Sequence, residues 1–255
     1  MTHAAGLPAR LVFPQCRNCA YRFNGTTQGC AECAASAIRP LAEHHCGVCS
    51  QTLGSAGAKC GNIICDWDTK TRSFIRVDAL ALYATPLEQT IKEYKYGLRD
   101  GSQGWGVIFG RLIVGWLHAH AAEVADIDLI IGNPSAPDRT PIQHIETMMR
   151  AAHAEDSIGR WPIADPDSPV LVKTAETKKS AGGGVRWHEK MEAAKEHAAA
   201  LQLRQNVEGK RILLVDDVFT TGANFHTVGK LLMTEGGAKE VRGLVLARVP
   251  FGGRA

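Results

Sequence analysis

The stretch Ile212-Leu213-Leu214-Val215-Asp216-Asp217-Val218-Phe219-Thr220-Thr221-Gly222-Ala223-Asn224 decides how the chain is read. Its four opening apolar residues suit a strand buried on both faces, as central strands of parallel sheets are. Two carboxylates, Asp216 and Asp217, follow where a strand over 211–215 is expected to end. Thr220-Thr221-Gly222 then turns the chain directly into a helix expected over 223–235. A turn into a helix N-terminus offers unpaired backbone N–H groups and the positive end of a dipole, and both favour a phosphate. The two threonine hydroxyls add donors, and Gly222 lets the backbone come close. Ligands of open α/β sheets bind at the carboxyl ends of the strands. Asp216 and Asp217 are thus placed to accept hydrogen bonds from sugar hydroxyls, and the segment suits a phosphate carried on a ribose.

Outward from this stretch, strands and helices alternate. Strands are expected over 76–84, 127–131, 170–172 and 241–247. Thr85-Pro86-Leu87-Glu88 has the N-cap, first-turn proline and third-position glutamate of a helix start, and Gly97 marks its end. Further helices are expected over 105–122, 141–154 and 187–203, with a mobile loop over 177–186 around Gly182-Gly183-Gly184. The alternation predicts an α/β fold, a parallel sheet with helices on both faces. Trp105, Trp116, Trp161 and Trp187 offer surfaces for stacking a base. At helical positions among aliphatic residues, Trp105 and Trp116 read as core.

All eight cysteines lie between Cys16 and Cys65, and this asymmetry divides the chain into a cysteine-rich segment, 1–75, and a larger domain, 76–255. Their spacing is Cys16-x2-Cys19, Cys30-x2-Cys33, Cys46-x2-Cys49 and Cys60-x4-Cys65. Two thiolates separated by two residues reach one metal from a tight knuckle, and two knuckles complete a tetrahedral site. Eight ligands suit two structural Zn²⁺ ions, because full cysteine ligation leaves no open coordination position. A disulfide framework and an iron–sulfur cluster are the competing readings. The pairing is open between sequential sites (Cys16, Cys19, Cys30, Cys33, then Cys46, Cys49, Cys60, Cys65) and a cross-braced arrangement. Shorter loops favour the sequential one. His44 and His45 adjoin Cys46 and read as surface residues.

Composition narrows the classes further. Apolar residues at 45% and charged residues at 22% belong to a globular chain rather than a disordered one. A net charge of +3 is too mild to argue for nucleic-acid binding. From Cys16 onward the cysteine segment repeats this balance: Arg17, Arg22, Arg39, Lys59, Lys70 and Arg72 are offset by Glu32, Glu43, Asp66 and Asp68. No apolar run reaches the ~18 residues of a membrane span. The N-terminus lacks a basic stretch followed by an apolar one, so a cytoplasmic protein is expected. The chain has no G-x-x-x-x-G-K-[ST] pattern, which argues against a P-loop nucleotidase.

The 212–224 stretch resembles the phosphoribosyl pyrophosphate (PRPP) loop of type I phosphoribosyltransferases, and cysteine knuckles ahead of such a domain resemble the ComF family of competence-associated proteins. Ile91-Lys92-Glu93-Tyr94-Lys95-Tyr96-Gly97, Asp128-Leu129-Ile130-Ile131 before Asn133-Pro134, and Leu246-Ala247-Arg248 extend the likeness over most of the chain. The resemblance implies a type I phosphoribosyltransferase sheet behind a small zinc ribbon. It implies transfer of phosphoribose from PRPP–Mg²⁺ to a nitrogen nucleophile, with release of pyrophosphate. Asp216 and Asp217 would hold the ribose hydroxyls, and Thr220, Thr221, Gly222, Ala223 and Asn224 the 5′-phosphate. Lys92, Lys95 and Arg139 would neutralise pyrophosphate, and the 177–186 loop would form a hood. On this basis Asp217→Asn is expected to abolish turnover and leave the fold intact. The alternative within the likeness is a catalytically weak or inactive PRPP-binding interaction module in DNA uptake or DNA processing, with a protein partner such as a DNA-uptake helicase favoured over nucleic acid.

Overall fold

The computed structural model describes residues 41–84, 86–98, 102–177 and 186–250. In order, its regular elements are β1 (Val77–Leu82), α1 (Leu87–Tyr96), α2 (Trp105–Ala119), β2 (Leu129–Gly132), α3 (His144–Glu155), β3 (Leu171–Lys173), α4 (Trp187–Ala199), β4 (Leu201–Leu203), β5 (Arg211–Phe219), α5 (Ala223–Thr234) and β6 (Glu240–Arg248). Four strands form one parallel sheet in the order β1-β6-β5-β2. The apolar run of β5 takes the central position expected of a strand buried on both faces. Leu213 and Val215 join a core with Ile91, Ile108 and Ile145 of α1, α2 and α3. Ile212 and Leu214 join the opposite core, with Phe225 and Val228 of α5. Trp105 and Trp116 are buried in the first core. No helix among the described residues is long and apolar enough to cross a membrane.

Two element boundaries differ from expectation. β5 runs on to Phe219, because residues 216 and 218 stay in register with Val245 and Ala247 of β6. The carboxylates therefore sit inside the strand, and its alternation sends them to opposite faces of the sheet. The helix expected over 187–203 stops at Ala199. Residues 201–203 form β4 instead, paired antiparallel with β3 as a small separate sheet. An alanine-rich run reads as helix locally, but Leu201 and Leu203 bury better as a strand. Gly97 ends α1 as expected, with φ 60° and its amide on the Glu93 carbonyl. Thr85 and nearly all of the 177–186 loop lie outside the described residues.

The described part of the cysteine segment is continuous with the large domain's core. Cys49, Ile64 and Phe74 share the second core with β5, β6 and α5. The Ile75 amide donates to the Val241 carbonyl at 2.8 Å, and the Val77 amide to the Val48 carbonyl at 2.8 Å. Gly229 of α5 is a glycine for a packing reason: a Cβ there would lie 2.0 Å from the Ser73 carbonyl oxygen. Among the described residues, those before position 76 share packing with those after it.

Candidate functional site

β5 delivers the chain into the Thr220-Thr221-Gly222 turn, and α5 starts at once with Gly222 as its N-cap. Gly222 has φ +90°, a conformation that suits glycine. A Cβ there would lie 2.7 Å from Phe219 Cζ and 3.1 Å from Ile64 Cγ2. No side chain caps this helix start, so the N-terminal amide groups of α5 are left for another partner. They border an open cleft lined by Asp216, Lys190 of α4 and the whole 220–224 turn. All five residues expected to hold a phosphate, and one of the two carboxylates, thus meet in one concavity.

Asp216 and Asp217 have different surroundings. Asn133, just beyond β2, donates from Nδ2 to Asp216 Oδ2 at 2.8 Å, and its Oδ1 lies 2.8 Å from His197 Nε2. Burial, followed by Lys173, lowers the His197 pKa to about 4, so the ring is neutral and its Nε2–H is the donor to Asn133. On the other face, Asp217 Oδ2 lies 2.5 Å from Lys95 Nζ and 3.2 Å from His144 Nε2. His144 Nδ1 sits 2.9 Å from Ser135 Oγ. This Ser135–His144–Asp217 chain has the order of a hydrolase triad. Ser135 is nevertheless buried, and its Oγ already accepts the Ile145 amide at 3.3 Å, so it serves as an internal tie.

The pair titrates in opposite directions. Burial and the adjacent Asp217 charge push Asp216 up, to about 7. Lys95 and His144 hold Asp217 below the ordinary carboxylate range although burial opposes them. An unfolded aspartate releases its proton near pH ~3.9. Between about pH 4 and 7 the folded chain therefore holds a proton on Asp216 that the unfolded chain lacks, and this group makes stability fall as pH rises. Asp217 acts only below that window, where its contribution is lost on acidification. Urea unfolding at pH 5 and pH 8 is expected to show Asp216→Asn gaining on the wild type at pH 8, by on the order of 2 kcal/mol. An equal pH response in both proteins would contradict the assignment.

The expected pyrophosphate cations do not line the cleft. Lys95 is committed to Asp217, and Lys92 Nζ pairs with Glu88 at 2.5 Å on the same helix. Arg139 lies over the Tyr96 ring, 5.6 Å from its centroid, and donates from Nη2 to the Lys95 carbonyl at 3.3 Å. Lys190, His144 and His197 were not anticipated from sequence. Each sits on a helix among ordinary polar residues, and only the packing of α3 and α4 brings them to β5.

Cys46, Cys49, Cys60 and Cys65 present sulfurs that all lie within 4.8 Å of one another, the grouping of a sequential site. Cys46 and Cys65 sulfurs are 3.8 Å apart and those of Cys49 and Cys60 3.7 Å, far too long for disulfides. Four thiolates at about 2.3 Å from one tetrahedral ion lie roughly 3.8 Å apart, so the spacing fits one metal such as zinc. The Val48 amide points at Cys46 Sγ at 3.4 Å, as in metal knuckles. Burial pushes the Cys60 thiol up to about 11, so a cation is needed to hold all four sulfurs ionised. His44 and His45 are exposed, as expected. Cys16, Cys19, Cys30 and Cys33 lie outside the described residues. No protein-family model matches the chain, and no curated protein shows significant similarity to it.

Proposed function

We propose that the cleft beside β5 and α5 binds PRPP with Mg²⁺ and that the protein is a phosphoribosyltransferase, passing phosphoribose to a nitrogen nucleophile and releasing pyrophosphate. One observation carries the reading: the 220–224 turn and the Asp216 carboxylate line the same cleft. The amides at the start of α5 and the Thr220 and Thr221 hydroxyls suit the 5′-phosphate. Asp216, once ionised, is an acceptor for ribose hydroxyls, and Lys190 adds a positive charge at the wall. Mg²⁺ bound with the substrate would neutralise pyrophosphate oxygens. The four-cysteine centre takes no part in this chemistry, because a fully ligated ion has no open position. The likeness to type I phosphoribosyltransferases and the ComF family agrees with this assignment.

A second reading rests on the committed cations. Lys95 pairs with Asp217, Lys92 with Glu88 and Arg139 lies over Tyr96, which leaves Lys190 as the one cation among the described residues that lines the cleft. That favours a PRPP-binding module serving a partner in DNA uptake. Calorimetric titration with PRPP and Mg²⁺ tests the first requirement of both readings. The wild type is expected to bind saturably, and Gly222→Val to bind at least about tenfold more weakly, because the loop must open to admit a branched side chain. Absence of binding by the folded, metal-loaded wild type would overturn both. Pyrophosphate release in the presence of nitrogen acceptors separates transferase from module.

A further inference from the structure

Arg248 ends β6 and is 1% exposed, one of the largest fully buried side chains among the described residues. A buried guanidinium needs every N–H satisfied and its charge met. Here Nε donates to the Cys49 carbonyl at 2.9 Å, and Nη2 lies 3.8 Å from Cys49 Sγ. Nη1 donates to the Phe219 carbonyl at 3.3 Å, to the Thr220 carbonyl at 2.9 Å and to the Val249 carbonyl. The guanidinium also lies over the Phe219 ring, 4.8 Å from its centroid. One side chain therefore grips a metal-ligand residue with one edge and the entrance of the 220–224 turn with the other.

Charge explains why a cation belongs there. A divalent ion among four thiolates leaves a net negative centre in a low-dielectric core, and the contacts of Arg248 are otherwise neutral carbonyls. The packing repeats the link. Ile64, next to Cys65, supports Gly222 from below, and Trp67 packs edge-on against His226 of α5 with ring centroids 5.1 Å apart.

We infer that Arg248 is a positioning residue: it is the counter-ion of the four-cysteine centre and the clamp that sets the 220–224 turn, so the metal centre and the phosphate-facing loop are coupled through it. The role of that loop rests on the proposed PRPP reading; the coupling itself does not. Lysine keeps the charge but not the fork, so it cannot hold Cys49, Phe219 and Thr220 together.

Hydrogen exchange on metal-loaded Arg248→Lys tests the coupling, with residues 212–215 of β5 as the internal reference. Exchange at 220–224 is expected to accelerate about tenfold relative to 212–215, with the bound metal unchanged. In the cobalt(II)-substituted protein, the thiolate charge-transfer band is expected to shift between wild type and Arg248→Lys, because the N–H facing Cys49 Sγ is lost. Should Arg248→Lys fail to fold, Arg248→Gln carries the same two measurements. An unchanged exchange ratio and an unchanged cobalt spectrum would overturn the inference. A wild type that does not bind PRPP while the exchange ratio changes would overturn the functional reading alone.

Discussion

Asp217→Ala is expected to destabilise the fold by about 2–3 kcal/mol, because it removes a buried carboxylate paired with a half-buried ammonium and a buried imidazole. Asp217 is 5% exposed and is the carboxylate that faces Lys95 Nζ, 2.5 Å away. Removing it strands the ammonium of Lys95 beside the first core and frees His144 Nε2, 3.2 Å from the same oxygen. Against burial, it is Asp217 that keeps the Lys95 pKa above its ordinary value. Asp217→Asn removes the same charge and should incur much of the same cost. The structure therefore adds a stability cost to Asn at 217, and lost PRPP turnover in that variant would not by itself mark a catalytic group. The decisive measurement is urea unfolding of Asp217→Asn, Lys95→Met and the double variant. Non-additivity is expected, with the double variant more stable than Asp217→Asn because no half-buried cation is left unpaired. Additive losses would show that the two groups are not a pair.

The same residues show what sequence reading reaches and where it stops. The turn 220–224 was legible because strand, glycine and helix start are all local: each follows from neighbours in the chain. Gly97 and the Cys46–Cys65 quartet were legible for the same reason, since spacing alone brings their groups together. The roles of Asp216 and Asp217 were not separable. Adjacent residues on one strand take opposite faces only if the strand continues past them, and that depends on hydrogen bonding to β6. Lys95 and His144 reach β5 from α1 and α3, Asn133 reaches it from the end of β2, and His197 of α4 backs Asn133; no local pattern states such contacts. The 201–203 strand failed to appear for a related reason: its partner, β3, supplies the energy that a short segment lacks on its own.

Whether the cysteine segment is a separable ribbon has a measurable answer. An autonomous metal domain, once stripped, would unfold alone and leave the sheet's melting transition in place. Among the described residues, 41–75 pack into the large domain's core. Cys49 is 0% exposed, Ile64 is 0% and Phe74 is 1%, and all three pack in the core that holds Ile212, Leu214 and Val245. With an ion held by these four sulfurs, removing it would leave four crowded thiols beside α5 and the end of β6. Structural zinc supplies apparent free energies of about 10–16 kcal/mol in isolated fingers at neutral pH, and losing even a third of that here would act on the whole domain. Cys49→Ser, or exhaustive chelation, is therefore expected to lower one cooperative transition by roughly 10–20 °C, since about 1 kcal/mol moves a domain of this size by about 2–4 °C. Calorimetry on wild type with and without chelator checks this. Two transitions, with only the minor one sensitive to chelator, would instead establish an independent ribbon and remove the route by which Arg248 ties metal to loop.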